Sequence, residues 1–379
     1  MKIAVVILNW NTKDYLRMFL PPLLDSVAMF NGGVSGLETS LAGNGSHQND
    51  GQSDWAEVVV ADSASTDGSM EMMAKEFPSV RRIPLEKNYG FTGGYNRALK
   101  MLCDNPSEDS GPASGETARS IPYDLFILLN SDIEVTRDWL RPLADWMKEH
   151  PECGACGPKL HSWYERDMFE YAGAAGGWID RFGYPFCRGR VLGKVEKDSG
   201  QYDTPANVLW VTGACLAVRT SVWNSLGGLD DRFFAHMEEI DLCWRMQLEG
   251  WKVTVVPESM VYHLGGGTLP KNSPQKLYLN YRNNILLLDN NLARTIGRRR
   301  AALRIFCRKL LDGCSAMVYL LSFRMDFFRA VWRAHRDASR LIAEKRSEND
   351  APDSHGRHSV AGIYGGCMIP RALLGIKIL

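Results

Sequence analysis

FFAHMEEIDLCWRMQLEGWKVTVVPESMVYHLGGG, residues Phe233–Gly267, changes its period midway, and that change decides the fold. Ile240, Cys243, Trp244, Gln247, Leu248 and Trp251 recur at i, i+3, i+4, i+7, i+8 and i+11, the buried stripe of an amphipathic helix. Lys252–Val256 then reads as a strand, and a lone histidine, His263, stands before three glycines. Further upstream the same two patterns alternate. Ile3–Leu8, Glu57–Ala61, Val80–Pro84 and Asp124–Leu129 are apolar, mostly β-branched runs, as expected of parallel strands buried on both faces. Helical patterns near Asp14–Ala28, Thr66–Phe77, Thr92–Leu102 and Arg137–His150 separate them. That order predicts an α/β layered domain.

With 379 residues the chain has room for one large α/β domain and an appendage. Hydrophobic residues make up 45% and charged residues 23%, a globular composition without the bias of a disordered or fibrous chain. Lys+Arg 44 offset Asp+Glu 44, so bulk charge gives no argument for nucleic acid, and no nucleic-acid partner is expected. The nine Cys are scattered and odd in number, which suggests reduced thiols and a cytoplasmic protein. Cys153 and Cys156 form a CxxC without the second pair that a zinc finger needs. MKIAVVILNWN at the start reads as a first buried strand rather than a signal peptide. No run approaches the roughly 20 apolar residues of a membrane span.

Two polar stretches, 31–54 and 104–120, read as surface insertions in a main domain covering residues 1–291. Gly157–Pro205, rich in Gly and aromatic residues, reads as irregular strands and turns forming one wall of a cleft. Residues 292–346 form a basic amphipathic helical extension, and 347–379 a polar break with a short apolar tail. In the extension, Arg294, Arg298, Arg299, Arg300, Arg304, Arg308 and Lys309 lie among Leu303, Ile305, Phe306, Leu310 and Leu311. Arg324, Arg329, Arg333 and Arg336 interleave with Phe327, Phe328, Val331 and Trp332. Two roles fit: peripheral contact with an anionic membrane, or packing on the main domain with the arginines solvated.

Four groups of residues can carry chemistry, each with a plainer alternative. Asp62, in ADSASTDGS at the end of the second strand, is placed where open parallel sheets bind ligands, and its carboxylate suits the imide N–H of a pyrimidine. The alternative is a turn in which Ser65 or Thr66 caps a helix. Asn130–Asp132 ends the apolar run Ile127–Leu129; its carboxylate suits a hard cation that shares its coordination with substrate phosphates, or else the triplet is a turn. Glu238, Glu239 and Asp241 open the helix. Glu239 borders the apolar stripe, Asp241 lies at its other border and Glu238 points well away, so Glu239 is best placed for a general base in a cleft. Compensation of the helix dipole, and an i,i+4 pair of Asp241 with Arg245, fit as well. His263 is either a satisfied core residue or a second ligand beside Asp132.

LNWN, DSASTDGS, NYGFTGGYN, NSD, VTGACLAVR, EEIDLCWR and YHLGGG occur in one order, and the series resembles glycosyltransferase family 2, specifically its bacterial rhamnosyltransferase-like members. The resemblance covers about Met1–Asn291. It implies a GT-A fold, a Rossmann-like nucleotide-binding mixed sheet flanked by helices, here with a C-terminal helical extension. It also implies a nucleoside-diphosphate sugar donor, a divalent metal (Mg²⁺ or Mn²⁺), and a glycan or lipid-linked acceptor in cell-surface polysaccharide synthesis. By position, Leu8, Asn9, Trp10 and Asp62 would hold the base, and Asn88, Gly94, Asn96 and Ser131 the rest of the nucleotide. Gly213, Ala214 and Glu238 would border the sugar. Asp132 and His263 would bind the metal, and Glu239 would be the base of an inverting transfer. Two departures are visible: Asn130 replaces the first Asp of the family's DxD, and Glu239 stands where Asp is usual. A dinucleotide oxidoreductase would need GxGxxG after the first strand, where this chain reads LNWNTK. The remaining alternative, an inactive fold serving as scaffold or glycan-binding subunit, would show missing acids.

Overall fold

The computed structural model describes residues 1–32, 54–104, 123–265, 273–348 and 358–373. The expected insertions lie outside these residues except at their ends, as do Gly266 and Gly267. The first half runs β1 (Lys2–Asn9), α1 (Lys13–Phe30), β2 (Trp55–Asp62), α2 (Ser69–Glu76), β3 (Arg81–Pro84), α3 (Gly90–Asp104), β4 (Leu125–Leu129), β5 (Ile133–Val135) and α4 (Leu140–Glu149). The long strand β6 (Cys153–Ser162) follows, then four short ones: β7 (Gly177–Asp180), β8 (Pro185–Cys187), β9 (Arg190–Val191) and β10 (Lys194–Val195). Next come β11 (Ala206–Asn207), β12 (Cys215–Arg219), α5 (Thr220–Ser225), a 3-10 turn at Asp231–Phe233, α6 (Glu238–Leu248) and β13 (Lys252–His263). Three long helices, α7 (Pro274–Ile296), α8 (Arg298–Leu321) and α9 (Met325–Glu348), precede β14 (Ile363–Tyr364) and α10 (Met368–Leu373).

The main sheet has the order β11-β13-β6-β12-β4-β1-β2-β3, with β5 paired to β13. β3, β2, β1 and β4 are mutually parallel, as their continuous apolar runs predict. β12 enters antiparallel to both β4 and β6. Side chains alternate across β1. Ile3, Val5 and Ile7 join Leu16, Leu20 and Leu23 of α1 and Leu140 and Leu143 of α4 in one core. Ala4 and Val6 face the other core, with Tyr95, Ala98 and Leu99 of α3, Trp244 of α6 and Leu286 of α7. This is the GT-A architecture, with a central mixed sheet between helical layers.

Three local expectations change. β13 does not stop at Val256: a bulge between Val255 and Met260 lets it continue to His263. β6 takes the first residues of the stretch read as irregular. Its glycines hide the strand signal, yet they are needed: a Cβ on Gly157 would meet the Val211 Cβ at 2.9 Å. Neither Ser65 nor Thr66 caps α2, whose start is set by Gly68 in a left-handed conformation. Toward the C-terminus, Leu292 lies inside α7, and β14 of the tail pairs with β7 at the edge of a second, five-stranded sheet of order β10-β9-β8-β7-β14.

Candidate active site

At the base end, β1 and β2 pair with Asn9 opposite Asp62. Asn9 Nδ2 donates to Asp62 Oδ1 at 2.7 Å, while Asp62 Oδ2 accepts from Ser65 N at 3.0 Å. The carboxylate thus closes the turn and faces the end of β1 at once. Leu8 is partly exposed, and Trp10 stands 42% exposed beside Asn11, whose φ is 54°.

The NYGFTGGYN segment makes contacts of its own on both sides of α3's start. Asn88 Oδ1 accepts from Gly90 N at 2.8 Å and closes the turn before α3. Gly94 is buried under β1: a Cβ there would lie 2.7 Å from a Leu8 methyl, so the glycine lets α3 approach the strand. Asn96 donates to Leu229 O (2.8 Å) and Asp231 Oδ1 (2.7 Å) and accepts from Leu229 N (3.0 Å). Both its amide groups are engaged in tying α3 to the turn before α6.

The pairing of β13 with β5 sets His263 opposite Ile133 and hence beside Asp132. His263 Nε2 lies 3.2 Å from Asp132 Oδ1, and Nδ1 faces Glu170 Oε2 at 3.4 Å. Burial works against charge on the ring, but the two carboxylates beside it hold its pKa up, at about 10. Burial likewise opposes the ionised forms of Asp132 and Glu170, and the imidazole holds both below the usual carboxylate range. Glu170 escaped the sequence reading because the stretch around it has no period. Ser131 occupies the partly exposed turn between β4 and β5.

Asn130 N donates to Ala214 O at 2.9 Å, joining the end of β4 to the segment entering β12. Next to it, a Cβ on Gly213 would lie 3.4 Å from that of Glu239. Glu239 is partly exposed and its Oε2 has no hydrogen-bond partner; the same holds for Oε2 of Glu238, which is only 5% exposed. Burial raises the pKa of both, and the charge of Glu239 adds to the shift of Glu238. Glu238 was expected to point away from the buried stripe. The wheel assumes one covered face, whereas α6 lies between the sheet and α7 and is buried nearly all round. Asp241 is fully buried: Arg245 Nε donates to its Oδ2 at 2.7 Å, and Asn290 and Asn291 each donate to Oδ1 at 2.8 Å.

The loop before the two glutamates is held under backbone strain. Phe234, His236 and Met237 have φ of 63°, 73° and 70°, in the region L-residues rarely adopt. Asn283 Nδ2 on α7 donates to the carbonyls of Phe233 (3.0 Å), Ala235 (2.7 Å) and His236 (2.7 Å). Arg282 Nη2 donates to those of Arg232 and Phe233, and Phe91 N of α3 to that of Phe234. The signal was present in YRNNILLLDNN: asparagines disfavour helix interiors, and four sit here beside an apolar run.

Residues 125–332 match the family described as Glycosyl transferase family group 2. An N-acetylglucosaminyl-diphospho-decaprenol L-rhamnosyltransferase of Mycobacterium tuberculosis (strain ATCC 25618 / H37Rv) is 27% identical over 254 residues, which cover 65% of this chain and 78% of that protein. Rhamnosyltransferase WbbL of Escherichia coli (strain K12) is 27% identical over 150 residues, 39% of this chain and 55% of the relative. Among solved structures, GalNAc-T7 with UDP, GalNAc and Mn2+ aligns with a TM-score of 0.52 at 13% identity, over 76% of this chain and 48% of that one. S. aureus TarS 1-349 in complex with UDP-GlcNAc gives 0.50 at 14% identity, over 91% and 83%. At such identities the structural likeness speaks for the fold alone.

Proposed function

Because the chain belongs to glycosyl transferase family group 2 and is a glycosyltransferase, we propose that it moves a sugar, with inversion, from a nucleoside-diphosphate sugar to a hydroxyl of a glycan or lipid-linked acceptor in cell-surface polysaccharide synthesis. The observation that carries this reading is Glu239: a partly buried carboxylate with a free oxygen, beside a glycine, at the start of a helix whose approach is clamped. Burial strengthens it as a base, so it can take the acceptor's proton as that hydroxyl attacks the anomeric carbon. Glu238, buried behind it, keeps a negative neighbour close whenever it ionises and so favours proton uptake by the pair. Gly213 and Ala214 present little side chain, which leaves room for the sugar against the backbone. Asn9 and Asp62 stand ready for the base of the donor.

A divalent cation fits Asp132 and His263, which converge within 3.2 Å on the edge where the acids meet. The Asp132 carboxylate suits a hard cation such as Mg²⁺ or Mn²⁺, and the imidazole is the ligand that tells against Mg²⁺. Among the described residues no cluster of three or more such ligands is present, so the remaining coordination would fall to the donor's diphosphate. Glu170 would then orient the imidazole from its other nitrogen. Bound there, the cation would neutralise charge on the departing diphosphate.

The named activities of the mycobacterial and E. coli relatives support rhamnose as the sugar, and the former a lipid-diphosphate acceptor. All nine cysteines are free, which fits a reducing compartment, so the reaction is assigned to the cytoplasm, at the membrane face that carries the acceptor. Glu239→Gln tests the proposal. Transfer should fall by about 10²–10⁴-fold with donor affinity intact, and Glu238→Gln should be much milder. Equal loss in both, or a product with retained anomeric configuration, would overturn it.

A further inference from the structure

Most of the large apolar side chains exposed among the described residues lie between Leu303 and Trp332. On α8 five of them follow a single line, Leu303 (63% exposed), Phe306 (59%), Leu310 (56%), Met317 (48%) and Leu321 (74%), at i, i+3, i+7, i+14 and i+18, with Leu311 and Val318 beside it. The opposite face of α8 is the one that packs, through Ala301, Arg308, Asp312 and Ala316. A helix that packs through one face and carries an uncovered apolar line on the other calls for a second partner.

The turn between α8 and α9 sharpens the point. Phe323 is 91% exposed with φ 56°, so a bulky ring is held outward in a left-handed turn that Phe323 N closes by donating to Leu320 O at 3.0 Å. Arg324 lies 3.8 Å over the Phe327 ring behind it. Along α9, Met325, Arg329, Trp332 and Arg336 share one exposed line, and a groove of about 420 Å³ opens between Phe328, Arg329, Trp332 and Arg333. The charge on this surface is mostly positive. Arg298, Arg299 and Arg300 are exposed at the start of α8, and Arg324, Arg329, Arg333 and Arg336 beyond the turn, while two exposed acids of α9, Asp326 and Glu344, each lie 3.9 Å from an arginine, Arg329 and Arg340 respectively.

We propose that the α8–α9 hairpin is a monotopic anchor lying in the plane of an anionic lipid surface. The α8 stripe and the Leu321–Phe323 tip enter the acyl boundary, and the arginines meet the headgroup phosphates. A second copy of the chain is the poorer occupant, because a two-fold contact would set this cationic face against itself. Spanning is not the mode either, since no described helix is long and apolar enough to cross a membrane. The anchor rests on the reading above in one respect: a lipid-linked acceptor is what gives a transferase reason to sit on a bilayer.

The test is co-sedimentation of the full chain with phosphatidylcholine vesicles, with and without roughly 30% phosphatidylglycerol, at low and high salt. Wild type should bind the anionic vesicles and be released by salt. Leu321→Ser/Phe323→Ser should lose on the order of 100-fold in affinity at low salt. Arg298→Gln/Arg299→Gln/Arg300→Gln should lose a similar factor with a flatter salt dependence, at about five-fold per charge. Donor binding, followed as thermal stabilisation by nucleoside diphosphates without vesicles, should be untouched in both variants. No binding of wild type at low salt, variants that bind as wild type does, or a dimer in sedimentation velocity that the tip variant dissolves would each overturn the anchor. Loss of donor stabilisation in wild type with vesicle binding intact would sink the transferase reading and leave the anchor standing.

Discussion

Asn283→Ala removes the side chain that holds the loop feeding the two glutamates. Asn283 is fully buried, and its two N–H groups are shared among three carbonyls. Two hydrogen bonds at about 1 kcal/mol each, plus the cost of stranding buried carbonyls, give a loss of roughly 2–4 kcal/mol. Unfolding entropy of about 2.1 cal/mol/K per residue makes that a fall of about 3–5 °C in Tm for a chain of this length. The damage should be uneven. Arg282 still holds the Phe233 carbonyl and α3 the Phe234 carbonyl, so the part that relaxes is Ala235–Met237, where two of the three positive-φ residues adjoin Glu238. A displacement of about 1 Å at the base costs on the order of 10²-fold in rate. Donor affinity should stay, because Asn9 and Asp62 are held by separate bonds at the ends of β1 and β2. The assay combines a thermal melt, single-turnover transfer and donor titration. Tyr281→Phe is the control: it removes the bond to Ser315 on α8 and should lower Tm slightly at unchanged rate. A lower Tm for Asn283→Ala with full single-turnover rate, or donor affinity falling in step with rate, would refute the clamp.

Asn96→Ala should lower stability by about 1–3 kcal/mol in a melt while leaving the nucleotide dissociation constant within about two-fold, since its amide is spent on Leu229 and Asp231. Asp132→Asn and His263→Ala should each weaken Mn²⁺ uptake in the presence of nucleoside diphosphate by at least about ten-fold, read from the free-ion signal in electron paramagnetic resonance; equal uptake by the variants would remove the pair from the metal reading. Glu238→Gln should flatten the pH dependence of stability. A carboxyl whose folded pKa is raised stabilises fully below its ordinary range, and that contribution is lost as pH climbs toward the folded value. The variant should therefore gain Tm over wild type at pH 8 and show no gain at pH 5.

Sequence and structure agree where burial is simple and part where a residue answers to several neighbours. β1, β2 and β4 were legible because a parallel strand covered on both faces is an unbroken apolar run. β6 was hidden because its glycines and CxxC serve close packing rather than any period. Glu238 was placed outward because a helical wheel knows the sheet but not the second cover, α7. Likewise Gly94 and Asn96 belong to a motif that invites a ligand, while their contacts show a strand and a turn satisfying them first. His263 and Asp132 could both be named in advance. What joins them is the bulge that carries β13 past Pro257 and into register with β5, a matter of tertiary pairing that no local pattern holds.

The direction of each strand explains why the chemistry gathers on one edge. β4 runs parallel to β1 and β2, so Asn9, Asp62 and Asn130 all leave the sheet on the same side. β12 is antiparallel to β4, with Cys215 opposite Leu129, so it is the amino end of β12, carrying Gly213 and Ala214, that arrives there. β6 is antiparallel to β12 and β13 parallel to β6, which returns the carboxyl end of β13, and with it His263, to that edge. Open α/β sheets bind ligands outside strand ends where the topology switches. Here the order reverses between β1 and β4, from which the chain leaves on opposite sides, and the bond from Asn130 N to Ala214 O joins the end of β4 to the antiparallel strand beside it. Glu239 must come to the same place from a helix, and a helix start can be aimed only through its entry loop. That is a physical reason for the strain in Phe234–Met237 and for the buried amide of Asn283 that holds it: the sheet orders five strand ends by register alone, whereas Glu239 has to be pinned from outside the sheet.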